Sequence, residues 1–354
     1  MSFKTLDPQD FLVSADSITA PCWTNYSNPI LSLYTSSVQV AGTSGNYYLN
    51  VYNSDPSTDA SSEIQFNIAY GNANGSGSLL YDAGINGLSP TRTVYGQFRN
   101  LIYGDENTSF SFSTITPTPN DFYAITVDRA RFKESLFPGT LTLTLYSASR
   151  QITLTDDSLT TTTVSYCDAG RVYNIISGSN GVATSNNPLG AINTGMTVSG
   201  SYGLFLPDIG TIILNAAALD LPHASGGIAL NTLRTSNTNV ANPARLYSTS
   251  SARIGMTTGS YTSSFSLNSN ETITSDFVFC RARNAEFNYT ENPSFISGST
   301  GAVLYDLFVN SPTTYITTVG LYNDSNELLA VAKLSKPLKK DFTKEALVRV
   351  KLDF

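Results

Sequence analysis

A single histidine, three cysteines and a few neighbouring carboxylates carry most of the reactive chemistry in this 354-residue chain. His223 sits in Leu-Pro-His-Ala-Ser-Gly-Gly, a loop sequence. No serine is framed as Gly-x-Ser-x-Gly, the strand-to-helix elbow that would present a nucleophile to a histidine. Cys22, Cys167 and Cys280 lie far apart with no Cys-x-x-Cys pair, so zinc-type spacing is missing and any internal disulfide leaves one thiol over. That pattern fits buried free thiols in a reducing compartment. The Gly71–Gly77 stretch lacks the lysine and following helix of a phosphate cradle, and no calcium loop with a terminal glutamate occurs. Acid pairs remain, because glycoside cleavage needs only two carboxylates at a set separation. The candidates are Asp105-Glu106 and Asp156-Asp157. Adjacent residues on a strand point to opposite faces, and acids in turns ordinarily accept backbone amides. No catalytic residue, cofactor or metal ligand is therefore assigned, and the expectation is a protein that is not an enzyme.

The elements that would position any site are strands. Charged residues make up 13% of the chain, well below the usual ~25%. Ser, Thr, Asn and Gly replace them, with 20 Tyr and 18 Phe. Strand formers among small polar residues predict an all-β protein of antiparallel, sandwich-like domains with long loops and few short helices. Low surface charge also suits surfaces that meet other subunits. The net charge of −7 disfavours a nucleic-acid binder, which would show a basic face. No charged-then-apolar leader and no run of ~20 apolar residues is visible, so membrane insertion is not expected.

Length suggests two domains. The expected organisation is an arm at 1–28, a β domain at 29–160, and a second β domain at 161–354 with long Ser/Gly/Asn-rich loops. The polar run Asp-Asp-Ser-Leu-Thr-Thr-Thr-Thr near 156–164 marks the break. Strands are predicted at Asn46–Tyr52, Glu63–Tyr70, Phe122–Val127, Leu141–Leu145, Ile152–Leu154, Gly170–Ile176 and Asp276–Arg283. Arg92–Tyr103 reads as an extended arm or edge strand, Asp128–Glu134 as a short helical turn, and 209–221 as holding a short helix. Exposed loops are expected at 177–200 and 235–270. Tyr48, Tyr52, Phe66 and Tyr70 could stack on sugars, but they fall at strand spacing, where core packing is the ordinary explanation.

The last forty residues are the most regular. Tyr315–Tyr322 and Glu327–Leu334 flank the turn Asn323-Asp-Ser-Asn326, and Ser335–Lys340 bridges to a closing run. In that run Ala346, Val348, Val350, Leu352 and Phe354 alternate with Leu347, Arg349, Lys351 and Asp353, so the chain is expected to end in a half-buried strand with Phe354 packed. Tyr95, Phe98 and Arg99 form an aromatic–arginine group of the kind enriched at interfaces. Arg129, Arg131 and Lys133 at alternate positions, with Glu134, read as an interface ion-pair set or a solvated edge. The lysines at 333, 336, 339, 340 and 344 form a solvated edge or a subunit contact. The candidate assembly residues are accordingly Tyr95, Phe98, Arg99, Arg129, Arg131, Tyr315, Tyr322, Lys339, Lys340 and Phe354.

The stretches VGLYNDSNELLAVAKLSKP (319–337) and DFTKEALVRVKLDF (341–354) resemble the C-terminal module of virion structural proteins of contractile-tailed phages, most closely those infecting cyanobacteria. The hairpin also resembles, more loosely, modules of phage tail and baseplate proteins. EIQFNIAYGNANGSGS (63–78), YGQFRNLIYGDENTSFSF (95–112), RARFKESLFPGTLTLTL (129–145), YGLFLPDIGTIILNAAAL (202–219) and FNYTENPSFISGS (287–299) look like parts of the same structural protein. None of these blocks is a catalytic signature. The resemblance implies a virion component, assembled in a host cytoplasm, in the tail or baseplate. Its partners would be other virion proteins and copies of itself. The alternative is a tail-fibre or receptor-binding protein that recognises a host surface glycan through its loops. A capsid decoration protein and a polysaccharide depolymerase rank behind it.

Overall fold

A computed structural model describes residues 3–24, 34–35, 48–75, 91–110, 112, 120–147, 150–184, 202–234, 241–248, 257–258, 261–262, 264–290 and 292–353. Its strands are β1 Phe11–Pro21, β2 Tyr34–Thr35, β3 Tyr48–Tyr52, β4 Ile64–Asn72, β5 Asp121–Val127, β6 Ser135–Leu136 and β7 Thr142–Ser147. Next come β8 Arg150–Asp156, β9 Ser165–Cys167, β10 Gly170–Ser179, β11 Val182–Ala183, β12 Gly203–Leu206 and β13 Thr211–Asn215. The last are β14 Thr257–Thr258, β15 Tyr261–Thr262, β16 Ser264–Ser266, β17 Asn268–Ala282, β18 Thr314–Tyr322, β19 Leu328–Lys340 and β20 Ala346–Asp353. Among the described residues the α-helices are α1 Thr91–Tyr103, α2 Ala216–Asp220, α3 Asn242–Ser248 and α4 Asp306–Asn310. The protein is all-β, with large antiparallel sheets and few short helices.

The chain forms two compact units, one of Ile18–Glu271 and one of Met1–Ser17 with Thr272–Phe354. The larger unit is built on one antiparallel sheet in the order β16-β7-β8-β10-β12-β13-β5-β4-β3-β2, with β9 and β11 added to β10. Alternate side chains of its central strands enter two apolar clusters. Tyr123, Ile125, Ile212, Leu214 and Phe205 belong to one, and Phe122, Ala124, Ile213, Leu204 and Leu206 to the other. Strands buried on both faces read as continuous apolar runs, which explains DFYAITV and TIILN. The ends of the sheet meet across the first cluster. Phe66 on β4 and Phe265 on β16 have ring centroids 5.3 Å apart, and Trp23 contacts both rings. The sheet is folded over in the sandwich-like way the composition predicts.

Three local expectations are corrected. Arg92–Tyr103 is helix α1, because Tyr95, Phe98 and Ile102 recur at helical spacing and bury one face on the second cluster. The 156–164 run is no domain boundary. Ile175 on β10 pairs with Asp156 on β8, and the chain leaves β8 through a turn in which Thr160 and Thr161 donate amides to the Asp157 carbonyl before β9 pairs with β10. The 1–28 arm is replaced by a strand, β1, followed by buried Cys22 and Trp23, with 25–28 lying outside the described residues. The short helix expected within 209–221 is α2, which follows β13 at Asn215, whose Oδ1 accepts the Ala217 amide at 3.0 Å as a helix cap.

The other strand expectations appear as β3, β4, β5, β7, β8, β10 and β17, and Arg129–Arg131 is a single 3-10 turn capped by Asp128. Within 177–200, β10 runs to Ser179 and β11 follows, while 185–201 lies outside the described residues. Of 235–270, only 241–248, 257–258, 261–262 and 264–270 are described.

The smaller unit holds β1 up to Ser17, β17 from Thr272, and β20, with β17 between the other two. β20 pairs with β17 from Ser275↔Asp353 to Ala282↔Ala346, and its burial alternates as the sequence predicts. The hairpin β18–β19 is a separate two-stranded sheet. Its turn closes with the Asn323 amide bonding the Glu327 carbonyl at 3.0 Å, and Asn326 adopts φ +61°, a conformation asparagine tolerates. Ser335–Lys340, expected as a bridge, is the second half of β19.

Candidate assembly interface

The two neighbouring acid pairs are structural. Asp105 accepts the Asn107 and Thr108 amides in an exposed turn, which lowers its pKa, first through the Thr108 hydroxyl. Asp156 accepts the Gly139 amide at 2.8 Å, and burial raises its pKa. Asp157 accepts the amide and side-chain NH2 of Asn174, both at 2.9 Å. His223 opens a 3-10 turn whose carbonyl takes the Gly226 amide. Burial pushes the Cys22 thiol up to about 12, which favours the thiol over the thiolate.

The fold brings together one carboxylate group that the sequence did not mark. Arg234 reaches Asp121 at 3.0 Å and Asp220 at 2.6 Å. Asp121 also accepts the Tyr70 hydroxyl at 2.9 Å, while Asp220 accepts the Thr232 amide and hydroxyl. Both acids are tied to one guanidinium, so the arrangement pins residues 232–234, while burial raises the pKa of Asp121 against the opposing charge of Arg234. Among the described residues no group of His, Cys, Asp and Glu is arranged to hold a metal. Nor is any helix there long and apolar enough to cross a membrane.

The ten expected interface residues separate sharply. Tyr95 and Phe98 are core residues. Their rings lie 5.5 and 5.8 Å from that of buried Phe122, and the Tyr95 hydroxyl accepts the Phe110 amide at 3.1 Å. Arg99 is half-buried, 5.9 Å from the centroid of the Tyr95 ring. Arg129 stacks 4.6 Å over Phe132. Arg131 bonds Glu63 at 2.9 Å within its own unit. Arg99 and Arg131 are thus half-buried against their own chain, while Arg129 stays exposed.

The adjacent lysines 339 and 340 also part company. Lys339 is exposed, 3.7 Å from Asp341. Lys340 is completely buried (0% exposed), so it belongs to no solvated edge. Its Nζ donates to the carbonyls of Asn284 (2.9 Å) and Asp341 (3.1 Å) and to Oδ1 of Asn288 (2.9 Å). It thus fastens the end of β19 to the 284–288 turn. Phe354 lies outside the described residues.

Tyr315 and Tyr322 are exposed on β18, Tyr322 in edge contact with Phe3 at 5.1 Å. They belong to a larger surface. The smaller unit contributes no residue to either apolar cluster, and its buried apolar side chains among the described residues are Val278, Ala282, Ala346 and Val350. Among the described residues, 18 of the 24 exposed large apolar side chains lie in this unit. The most open are Leu307 (83%), Val309 (68%), Leu329 (67%) and Val13 (66%). The alternation of β18 and the LLAVA run of β19 signalled strands in sequence. What periodicity could not reveal is how much of this hairpin stays open, with Leu328, Leu329 and Val331 exposed and Ile316, Val319 and Leu321 only half-buried. Compared with protein-family models, curated proteins and solved structures, the chain matches none.

Proposed function

We propose that this chain is a structural component of a phage virion, in the tail or baseplate, working through protein–protein contacts and not through catalysis. It would be assembled in the host cytoplasm, with other virion proteins and copies of itself as partners, and neither nucleic acid nor membrane insertion is required. One observation carries the reading. A unit that buries so few apolar side chains and exposes so many has not finished its core. Ordering a backbone costs roughly 1–2 kcal/mol per residue, which apolar burial must offset. A lone two-stranded hairpin is marginal in water. Contiguous exposed apolar surface marks an interaction site, and partners that bury Leu307, Leu329, Val331 and their neighbours would supply the missing core. The resemblance of 319–337 and 341–354 to a virion C-terminal module falls on this same unit.

Quantitative mass spectrometry of purified particles tests the reading. The chain is expected at a stoichiometric multiple set by tail or baseplate symmetry, retained through high-salt washing because the contacts are apolar. Absence from washed particles, with abundance in the infected-cell extract, would overturn it.

A further inference from the structure

The two edges of the β18–β19 hairpin are built differently. Between Ile316↔Leu338 and Thr318↔Lys333, β18 advances two residues while β19 advances five, and between Leu321↔Ala330 and Tyr322↔Leu328 the extra residue again lies on β19. Both irregularities therefore sit on β19, and β18 runs regular. β19 also carries Lys333, Lys336, Pro337 and Lys339. Bulges, lysines and proline are the devices by which proteins block strand addition at an edge. β18, Thr-Tyr-Ile-Thr-Thr-Val-Gly-Leu-Tyr, has none of them. Its nine residues include no charge and no proline, none is buried, and among the described residues its outer edge pairs with no strand. The other outer strands of this unit are charged, β1 by Asp16 and β20 by Arg349, Lys351 and Asp353.

We infer that the outer edge of β18 pairs with β18 of a second copy of this chain, antiparallel about a two-fold axis, joining two hairpins into one four-stranded sheet. Charge selects this occupant. An uncharged strand meets its own copy without repulsion, whereas two β19 edges would set lysines against lysines. An isologous pair about Thr318 sets Tyr315 against Leu321 and Thr314 against Tyr322, the aromatic–aliphatic and β-branched pairings that favour sheets. The lysines of β19 then lie on the two outer edges, where they stop further growth and keep the association closed. The inference deepens the assembly reading by naming one contact and its partner.

Sedimentation of the purified full chain over a range of concentrations tests it. Wild type is expected to reach twice the 38.0 kDa chain mass, Thr317→Lys to remain monomeric, and Lys336→Glu on the opposite edge to dimerise like wild type. A wild-type monomer at all concentrations, or a dimer that survives Thr317→Lys, overturns the inference. Should Thr317→Lys fail to fold, amide exchange of wild type decides. Protection of β18 that rises with concentration supports the pairing, and protection that does not change refutes it. Either result is separate from the virion reading, since a monomer could still assemble with other proteins and a β18 dimer could still be missing from particles.

Discussion

Nζ of Lys340 lies 2.9 Å from Oδ1 of Asn288, and both side chains are shut off from solvent. No acid faces this amine among its hydrogen-bond partners, which are the Asn288 amide and two backbone carbonyls. The smaller unit, short of apolar core, is held at this point by a polar lock.

Removing the lock should be expensive. Lys340→Met leaves buried oxygens without their donor, at roughly 1–3 kcal/mol each, for a loss of about 3 kcal/mol. Lys339→Met, at an exposed ion pair, should change stability by less than about 0.5 kcal/mol. Amide exchange across β20 reads the difference. Fluorescence of Trp23, the chain's one tryptophan and a core residue of the larger unit, should leave that unit's unfolding midpoint unmoved in both variants. An amine-reactive label should modify Lys339 and spare Lys340.

The larger unit should depend on α1 as packing, not as a docking surface. Phe98→Ala removes a buried ring against Phe122 and should cost about 3–5 kcal/mol in denaturant melts followed by Trp23. Tyr95→Phe loses only the bond to the Phe110 amide, about 1 kcal/mol. Neither should alter self-association of folded protein in sedimentation.

Acid should weaken the link between β10 and the β12–β13 turn. Asp208 accepts the Arg171 amide at 2.7 Å and Nε at 3.0 Å. Burial alone would raise its pKa, but the hydrogen bonds and charge of Arg171 outweigh it and hold the carboxyl below its usual range. A lowered folded-state pKa gives stabilisation that is full above the unfolded value of about 4 and is lost as pH falls through the folded one. Asp208→Asn should therefore cost about 1 kcal/mol at pH 7, and the two melting curves should approach each other as pH falls through the folded-state pKa. Melts of Trp23 fluorescence at both pH values check this.

Exposed apolar side chains of the hairpin should matter to assembly and not to folding. Leu329→Ser with Val331→Ser changes residues 67% and 58% exposed, so stability should stay within about 0.5 kcal/mol per site. Incorporation into particles should fall sharply in a complementation assay, and soluble yield should rise.

Much of this architecture was legible. Period-two alternation marked Glu63–Tyr70 and Ala346–Asp353, and turn residues placed Asn323–Asn326. The helix α1 was legible but misread, since the 95, 98 and 102 spacing was present while its arginines suggested an edge. Asp156-Asp157 misled for a physical reason. A polar run signals a linker or a tight turn equally well, and only the buried amides that reach those carboxylates decide between them. Lys340 was beyond reach, because nothing in Lys-Lys tells which amine meets Asn288 and which meets water. The openness of the hairpin was invisible for the opposite reason, since a strand pattern records which faces are apolar and not how fully they are covered.

A cryo-electron microscopy reconstruction of the phage particle bears most directly on the central claim. This chain is expected in the tail or baseplate, with Leu307, Leu329 and Val331 buried against neighbouring subunits. Density that leaves those residues facing solvent at a fibre tip, or a particle lacking the chain, would contradict it.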